Sequence, residues 1–318
     1  MIEVQGLTKT YGLYNAVDQV SFKLQRGETL ALVGTSGSGK TTTLKLINRL
    51  IEPSGGQILL DGEDIFALPP EQMRRRMGYV IQNIGLFPHY TIEENVAVVP
   101  KLLGWSAEKV RERTSYLLER LKLPPPEFLK KYPHQLSGGQ QQRVGIARAL
   151  AARPPIILMD EPFGALDPIT RHVIRQDFIT MEELSSKTTI IVTHDVEEAF
   201  ELADRICVLD KGRLQQIGSP QELLFKPAND FVKAFIADKK LDLQIRIFTL
   251  EDVFGHLPEQ QASSSSNIRA LDIKTSIKDT IAVLTEQKYG NSQALIKKDG
   301  VHKQFNLAAL MNAFHQYI

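Results

Sequence analysis

The sequence predicts an α/β fold with a parallel sheet over about its first 237 residues. Three short aliphatic and β-branched runs, at residues 30–33, 156–159 and 189–193, lack the alternation of a half-exposed strand. Such runs are typical of parallel strands that are buried on both faces. Segments with helical character separate them, and polar residues follow each strand directly. Because ligands bind at the carboxyl ends of the strands in open α/β sheets, we expect these polar residues to converge on one site.

Length and composition limit the classes of protein to consider. The chain has 318 residues, 42% hydrophobic and 24% charged, which is ordinary for a globular protein of about two domains. Its formal net charge of +1 offers no basic surface for nucleic acid, so no nucleic-acid partner is expected. No apolar run approaches the ~20 residues of a membrane span, and no secretory signal opens the sequence, which predicts a cytoplasmic protein. Cys207 lies within an apolar run and is expected to be buried rather than reactive.

The most informative motif is a glycine-rich loop between a predicted strand and a predicted helix. Residues 34–41 match the pattern G-x-x-x-x-G-K-[ST], in which backbone N–H groups cradle nucleotide phosphates. In this pattern Lys40 would reach the β- and γ-phosphates, and the Thr41 hydroxyl would ligate Mg²⁺. An ordinary glycine- and serine-rich turn is the alternative for this motif taken alone. The expected phosphate-binding residues are Gly34, Thr35, Ser36, Gly37, Ser38, Gly39, Lys40, Thr41 and Thr42.

Two adjacent carboxylates, Asp160 and Glu161, end the apolar run 156–159. Successive side chains of a strand point in opposite directions, so these two carboxylates are expected to have different roles. Asp160 suits the outer shell of the Mg²⁺ ion that Thr41 would hold, and Glu161 suits the base that orients and deprotonates the attacking water. The alternative is a pair of solvated acids before Pro162, since Asp and Glu are usually exposed.

A longer amphipathic helix is predicted over residues 106–122, with Ser106 as its N-terminal cap. It ends before the three prolines at 124–126. Trp105, just before the cap, is expected to be a packing residue rather than a ligand contact. The apolar face of the helix contains Val110, Thr114, Leu117, Leu118 and Leu121.

A third motif, residues 136–140, precedes a helix-like segment that runs to residue 152. Its sequence Leu-Ser-Gly-Gly-Gln resembles the signature motif of ATP-binding-cassette (ABC) ATPases. Further motifs of that family appear in register over residues 1–237. Gln82 resembles the Q-loop, residues 165–167 the D-loop, His194 the switch histidine, and Tyr11 the aromatic residue that stacks on adenine.

The resemblance implies a P-loop NTPase (RecA-like) core with an antiparallel β subdomain and a helical signature subdomain. It implies that Glu161, His194, Asp160 and Gln82 are catalytic, with Gln82 also a Mg²⁺ ligand. His194 would keep the γ-phosphate and Glu161 in position relative to each other rather than act as the base. Two chains would pair head to tail, so that each ATP lies between the P-loop of one and the signature motif of the other. The residues expected to bind ATP across this interface are Leu136, Ser137, Gly138, Gly139, Gln140 and Asp167.

An apolar loop at residues 82–91 lies between the Q-loop and the signature motif. In the family this region receives the membrane subunits, which implies contact through Leu86, Phe87 and Pro88. The alternative is that Leu86 and Phe87 pack inside the helical subdomain.

The amino-acid sequence of this region is similar to that in importers of glycine betaine, choline, carnitine and related osmoprotectants. Such an importer implies a homodimer of ATPase subunits, two integral membrane permease subunits and an extracytoplasmic solute-binding protein. The chain would then lie on the inner face of the cell membrane as a peripheral protein. Importers of another small solute, such as an amino acid or a polyamine, are the alternative, followed by a non-transport ABC ATPase.

The C-terminal tail departs from a plain cassette. Residues 238–267 contain a serine-rich polar run and are predicted to be a linker. Residues 268–318 predict a strand at 268–273, a helix at 277–287, a hairpin of 294–297 with 301–305, and a helix at 307–314 capped by Asn306. This order resembles a single, degenerate CBS module that pairs with its copy in the partner subunit. Lys303, Asn306 and Ala309 stand where nucleotide-binding CBS modules have other residues, so no adenine nucleotide is expected to bind here.

Overall fold

The computed structural model describes residues 1–82, 85–164, 166–167, 171, 173–175, 177–178, 181, 186–258, 268–285 and 293–318. The chain divides into two compact units, Met1–Phe235 and Ile236–Ile318. Strands and helices alternate in the first unit, which confirms the predicted α/β class. No helix among the described ranges is long and apolar enough to cross a membrane.

The described strands of the first unit form two sheets. The smaller sheet is antiparallel with the order β2-β1-β4-β5, and the larger has the order β10-β9-β3-β8-β7-β6. The antiparallel sheet contains β1 (Ile2–Tyr11), β2 (Tyr14–Leu24), β4 (Gly55–Leu60) and β5 (Glu63–Asp64). The larger sheet contains β3 (Thr29–Gly34), β6 (Met77–Val80), β7 (Ile156–Asp160), β8 (Thr188–Val192), β9 (Arg205–Asp210) and β10 (Arg213–Gly218).

The larger sheet is parallel except at β10, which pairs with β9 in the antiparallel sense. Every residue of β7 and β8 is buried, as expected for central strands that are covered on both faces. The three strands predicted from the aliphatic runs are confirmed as β3, β7 and β8. Cys207, in β9, is buried, as predicted, and burial raises the pKa of its thiol to about 12.

Short helices connect these strands. A separate helical cluster is formed mainly by α3, α4 and α6, whose apolar side chains share one core with β6 and β7. Up to Ala237 the described helices are α1 (Lys40–Ile47), α2 (Pro70–Arg74), α3 (Ile92–Leu102), α4 (Ala107–Arg120), α5 (Pro125–Phe128), α6 (Gly138–Ala151), α7 (Val196–Leu202), α8 (Pro220–Phe225) and α9 (Asp230–Ala237).

Helix α4 is the amphipathic helix predicted at 106–122. The Ser106 hydroxyl accepts a hydrogen bond from the Lys109 N–H at 3.3 Å, so the predicted N-terminal cap is confirmed. All five residues of its predicted apolar face are buried. The helix ends at Arg120, and Pro124 caps the next helix, α5.

A buried carboxyl group lies on α7. Glu198 is buried, and its Oε1 atom has no hydrogen-bond partner. The pKa of this carboxyl is raised to about 8, chiefly by burial and also by the charge of Asp195. Arg175, which contacts Glu201 at 3.1 Å, opposes this effect only in part. Glu198 is therefore protonated in the folded protein at neutral pH.

Replacing Glu198 by Gln is expected to flatten the pH dependence of stability between pH 5 and pH 8. The unfolded chain releases this proton near the ordinary glutamate pKa of 4.5, whereas the folded chain keeps it up to about 8. The free energy of unfolding of the wild type should therefore fall as pH rises through this window, by up to about 1.4 kcal/mol per pH unit. Urea unfolding at several pH values, followed by the fluorescence of Trp105, would measure the free energy of unfolding. The control is Glu119→Gln, which changes an exposed glutamate and should keep the pH dependence of the wild type. The same pH dependence in Glu198→Gln as in the wild type would contradict the assignment.

The second unit is built around a three-stranded sheet with the order β11-β12-β13. β11 pairs with β12 in parallel, and β12 with β13 in the antiparallel sense. Its described elements are α10 (Lys240–Ile247), α11 (Leu250–Val253), a 3-10 turn (Phe254–His256), β11 (Ile268–Ala270), α12 (Ile277–Thr285), β12 (Gln293–Lys298), β13 (Val301–Phe305) and α13 (Leu307–Tyr317).

The prediction that residues 238–267 form a linker is wrong for residues 240–257, because these belong to the second unit. Their apolar side chains, including Leu250 and Leu257, are buried in one core with β12, β13 and α13. The buried Lys303 ammonium fixes this segment by donating hydrogen bonds to the carbonyls of Phe254 at 2.9 Å and Leu257 at 2.7 Å. The helices are too short to show a clear period in the sequence. Residues 259–267, with the serine-rich run, lie outside the described residues.

The hairpin and the closing helix of the second unit are confirmed. Asp299 and Gly300 join β12 to β13 with φ values of 49° and 83°, which suit a two-residue turn with left-handed conformations. The Asn306 side chain caps α13 by accepting a hydrogen bond from the Ala309 N–H at 2.9 Å. The described part of the helix predicted at 277–287 is α12, and residues 286–287 lie outside the described residues.

Candidate functional site

The glycine-rich loop connects β3 to α1, as predicted, and backbone crowding explains two of its glycines. Gly34 has a φ of 149°, and a Cβ atom there would lie 2.0 Å from the carbonyl oxygen of Leu209. Gly39 has a φ of 97°, and a Cβ atom there would lie 2.3 Å from the carbonyl oxygen of Ala16. Only glycine fits these two positions. The loop is therefore held in contact with both sheets and ends at the N-terminus of α1.

Lys40 is the first residue of α1 and is only 8% exposed. Its ammonium group donates hydrogen bonds to the carbonyls of Gly34 at 2.9 Å and Thr35 at 2.8 Å, and to the Ser38 hydroxyl at 3.3 Å. Burial lowers the pKa of Lys40, while the charges of Glu161 and Asp160 oppose this effect. A buried cation at a helix N-terminus, ringed by backbone groups, is suited to hold a phosphate.

Thr41 and Asp160 lie together, as predicted. The Thr41 hydroxyl donates a hydrogen bond to Asp160 Oδ1 at 2.9 Å. Burial raises the pKa of Asp160, and the hydrogen bond from Thr41 and the nearby charge of Lys45 lower it in part. Hard oxygen donors of this kind fit Mg²⁺. Among the described residues no group of three or more His, Cys, Asp or Glu side chains could hold a metal.

Glu161 lies between two side chains predicted to act with it. Gln82 Nε2 donates a hydrogen bond to Glu161 Oε2 at 2.9 Å, and His194 Nδ1 lies 3.3 Å from Glu161 Oε1. The Glu161 backbone has a φ of 46°, an unfavourable conformation for a residue with a side chain. Its N–H donates a hydrogen bond to the carbonyl of Val192 at 2.9 Å, which holds it beside the end of β8. The sheet thus fixes where this carboxylate points.

The topology explains how residues far apart in the sequence meet. Lys40 follows β3, Glu161 follows β7, His194 follows β8, and Gln82 follows β6. β3, β8, β7 and β6 are parallel neighbours, in that order, so their carboxyl ends lie along one edge of the sheet. The convergence predicted from the polar residues after each strand is therefore found.

A cleft of about 630 Å³ is lined by Lys40, Thr41, Glu161 and His194, whereas Gln82 and Asp160 do not line it. Gly34 and Thr35, which were predicted to bind phosphate, do not line it, and the Thr35 hydroxyl instead donates a hydrogen bond to Asp210 at 3.1 Å. Tyr14 and Ala16 line it although neither was predicted, and the Tyr14 hydroxyl donates a hydrogen bond to the Gly37 carbonyl at 3.1 Å. The lining residues are Tyr11, Tyr14, Ala16, Ser36, Gly37, Ser38, Gly39, Lys40, Thr41, Thr42, Glu161 and His194.

The only signal for Tyr14 in the sequence was its position close after Tyr11; in the structure Tyr11 ends β1 and Tyr14 begins β2. Both tyrosines are about half exposed, which suits rings that stack on a ligand. Ala16 carries no chemical signal, since only its backbone contacts the glycine-rich loop. A missed alanine of this kind cannot be found without the fold.

The signature residues do not line this cleft. Ser137 caps α6, where its hydroxyl accepts a hydrogen bond from the Gln140 N–H and its own N–H donates to Gln140 Oε1. Ser137 and Gly138 are exposed at the N-terminus of α6, and Asp167 is exposed as well. Leu136 was predicted to bind ATP but is buried in the helical core, so we correct it to a packing residue.

The loop predicted to contact membrane subunits combines a buried and an exposed part. Leu86 is partly buried and packs against the helical core, as the alternative interpretation held, whereas Phe87 is 47% exposed and Pro88 is exposed. The fully buried Asn95 shapes the loop. It donates to the carbonyls of Phe87 and Tyr90 at 3.1 Å and accepts from the Phe87 N–H at 2.8 Å. Of the three residues predicted to make this contact, Phe87 and Pro88 are therefore the exposed ones.

Comparisons with known proteins agree with this site. The profile of the family described as "ABC transporter" matches residues 17–164. The glycine betaine/carnitine/choline transport ATP-binding protein OpuCA of Bacillus subtilis (strain 168) is 48% identical over 86% of this chain and 72% of its own length. The glycine betaine uptake system ATP-binding protein YehX of Escherichia coli (strain K12) is 44% identical over 89% of this chain and 90% of its own length.

A solved structure is similar as well. It is the dimeric post-hydrolysis state of the ATP-binding cassette MJ0796 bound to ADP and Pi, with 36% identity and a TM-score of 0.63. The match covers 69% of this chain and 98% of that chain. Taken with the cleft, these similarities establish that the chain belongs to the ABC transporter family, as one of its ATP-hydrolysing ATP-binding proteins.

Proposed function

We propose that this chain is the ATPase subunit of an importer for a quaternary-amine osmoprotectant, such as glycine betaine, choline or carnitine. The observation that carries the ATPase part is the cleft lined by Lys40, Thr41 and Glu161, with Asp160 hydrogen-bonded to Thr41 beside it. The solute class rests on relatives whose names specify glycine betaine, carnitine and choline transport. Quaternary amines are bound by aromatic cages, which we expect on another subunit.

Within the cleft, Lys40 and the N–H groups of the glycine-rich loop bind the phosphates of ATP. Tyr11 and Tyr14 provide exposed rings against which adenine stacks. Glu161 orients the attacking water and accepts its proton. Gln82 and His194 hold the two Glu161 oxygens, so they fix the direction of the base. His194 is a positioning residue that also contacts the γ-phosphate.

Mg²⁺ accompanies ATP in this proposal. Thr41 is its direct ligand, Gln82 contributes the side-chain oxygen that its bond to Glu161 leaves available, and Asp160 acts from the outer shell. The bound ion supplies neutralisation of the phosphate charge. The hydrogen bond between Thr41 and Asp160 supports this assignment, because it places a hydroxyl and a carboxylate side by side.

ATP is enclosed by two copies of the chain. Ser137, Gly138, Gly139 and Gln140 of one copy cover the ATP held by the glycine-rich loop of the other, and Asp167 lies beside them. The exposed N-terminus of α6 supports this assignment, since its N–H groups and dipole favour phosphate. ATP thereby favours the closed pair over the open one.

The complete importer contains a homodimer of this chain, two integral membrane permease subunits and an extracytoplasmic solute-binding protein. The chain lies on the inner face of the cell membrane, where Phe87 and Pro88 contact a permease subunit. Closing of the ATPase pair moves the permease through this contact, and hydrolysis reopens the pair. The half-exposed ring of Phe87 on a loop fixed by Asn95 supports this placement.

Uptake of radiolabelled glycine betaine, choline and carnitine tests the solute class. Cells that lack the chain should lose uptake of at least one of them, and the wild-type gene should restore it while Glu161→Gln should not. Copurification with integral membrane subunits tests the transport role separately. If the chain copurifies with membrane subunits but supports no uptake of a quaternary amine, the importer carries another solute. If it neither copurifies with them nor supports uptake, a non-transport ATPase is favoured.

Removing the second unit is expected to leave ATP hydrolysis within about threefold of the full chain, because every residue of the cleft lies in Met1–Phe235. The CBS-like module is proposed to regulate or pair the subunits. A chain ending at residue 240 would be compared with the full chain by steady-state ATPase assay. A chain ending at residue 267 serves as control, because it exposes half of the core around Leu250 and should aggregate. Total loss of hydrolysis in the shorter chain would contradict the modular arrangement.

A further inference from the structure

A second cavity in the first unit has no role in the proposed function. It has a volume of about 450 Å³, within the range of small-molecule sites. It shares no lining residue with the ATP cleft. Most of its wall is formed by α4 and the residue before the cap of that helix. The described lining residues are Trp105, Lys109, Glu112, Arg113, Tyr116, Arg153 and Lys187.

The cavity is strongly cationic. Four described lining residues carry a positive charge, at 109, 113, 153 and 187, against the single carboxylate of Glu112. The whole chain has a formal net charge of only +1, so this local excess is not a consequence of a basic protein. Clustered cations in a concave site attract anions and repel one another when no anion is present. The composition of the wall therefore favours an anionic ligand.

Two of the cations are held in place by aromatic rings and by the backbone. The Lys109 ammonium lies 3.9 Å from the centre of the Trp105 ring, and the Arg113 guanidinium lies 5.5 Å from that of Tyr116. Arg113 is only 5% exposed. Its guanidinium donates hydrogen bonds to the carbonyls of Leu150 at 2.8 Å and Ala151 at 3.2 Å, at the end of α6. Ordering of this kind before binding lowers the entropy lost when a ligand arrives.

The aromatic rings themselves are only partly covered. Trp105, which the sequence predicted to be a packing residue, is only partly buried. Tyr116 is 44% exposed, although the guanidinium of Arg120 also lies 5.5 Å from its ring centre. An aromatic face beside a cation is suited to stack on a planar ring whose anionic group reaches the cation. The volume is also larger than a bare phosphate ion requires. The two properties together indicate a ligand with both a phosphate group and a planar ring.

We propose that this cavity binds a phosphate ester that carries a planar ring, the chemistry of a nucleoside monophosphate, at a site separate from the ATP cleft. Lys109 and Lys187 contact the phosphate group. Trp105 and Tyr116 contact the planar ring. Arg113 fixes the wall, because its own hydrogen bonds tie α4 to the end of α6.

The test is a titration of the full chain with AMP, followed by the fluorescence of Trp105. Trp105 is the only tryptophan in the sequence, so its emission reports on this cavity. AMP should change the emission in a saturable way, and the double variant Lys109→Glu/Lys187→Glu should weaken binding at least about tenfold. Isothermal titration calorimetry provides a second readout that does not depend on Trp105. Steady-state ATPase activity of the double variant should equal that of the wild type, since neither lysine contacts the ATP cleft.

The control variant is Arg111→Glu/Lys130→Glu, which makes the same change of charge at two exposed positions outside the cavity. It should bind AMP as the wild type does. Inorganic phosphate is the control ligand and should bind more weakly than AMP. Three results would overturn the proposal: no saturable response to AMP by either readout, equal binding of AMP by the Lys109→Glu/Lys187→Glu variant and the wild type, or binding of inorganic phosphate as tight as that of AMP.

Discussion

The change of Glu161 to Gln is expected to lower ATP hydrolysis by about 100-fold or more while ATP binding is retained. A positioned general base contributes about 10² to 10⁴ in rate, and an amide cannot accept the proton of the attacking water. The amide has nearly the same shape, so the contacts to Gln82 and His194 change little in geometry. Because hydrolysis reopens the pair of chains, the variant should accumulate as an ATP-bound dimer. Steady-state ATPase assays and size-exclusion chromatography with ATP would measure both effects.

The matched control for this change is Glu119→Gln on α4, which removes an exposed carboxylate outside the cleft. It should hydrolyse ATP like the wild type and show no ATP-dependent dimer that outlasts turnover. Near-normal hydrolysis in Glu161→Gln would remove this residue from the role of base. Loss of ATP binding in that variant would instead indicate that Glu161 acts by shaping the cleft.

The change of Lys40 to Ala is expected to weaken ATP binding by at least about 100-fold, equivalent to about 2.8 kcal/mol. Charge-assisted contacts between an ammonium and phosphate oxygens are among the strongest hydrogen bonds in proteins, and Lys40 would make them from a largely desolvated position. Isothermal titration calorimetry with ATP and Mg²⁺ would measure the loss. Unlike Glu161→Gln, this variant should form no ATP-dependent dimer.

Lys101→Ala is the control, since it removes an exposed cation of α3 that does not line the cleft. Its affinity for ATP should stay within a few-fold of the wild type. Thermal unfolding without nucleotide should be similar in Lys40→Ala and the wild type, which would separate a binding defect from a folding defect. Comparable ATP affinities in Lys40→Ala and Lys101→Ala would contradict the assignment of Lys40 to the phosphates.

The fold of the first unit could be predicted from the sequence because its strongest signals are local. The buried strands β3, β7 and β8 are uninterrupted apolar runs, and α4 has a clear cap and a regular apolar face. Residues 240–257 were predicted incorrectly for the opposite reason. Their helices are short, and what fixes them is a long-range contact, the hydrogen bonds from Lys303 to the carbonyls of Phe254 and Leu257. No pattern within the segment shows such a partner.

The same distinction applies to the site. The positions of Lys40, Thr41, Asp160 and Glu161 could be predicted because each residue lies at the end of a strand or the start of a helix within a recognisable motif. Their meeting at one edge followed from the rule for parallel sheets. The contributions of Tyr14 and Ala16 could not be predicted, because they depend on the contact between the antiparallel sheet and the glycine-rich loop. The burial of Leu136 likewise became visible only when α6 was seen to pack against α3 and α4.

The close approach of Gly39 to the carbonyl of Ala16 has a consequence for motion. It places the start of β2, where Tyr14 pairs with Tyr11 of β1, directly against the glycine-rich loop, with no space for even a methyl group between them. The two walls of the cleft therefore cannot separate without breaking this backbone contact. The spacing between the start of β2 and the glycine-rich loop is thus set by backbone packing rather than by side chains that can change rotamer. A residue larger than glycine at position 39 would have to move one wall of the cleft away from the other.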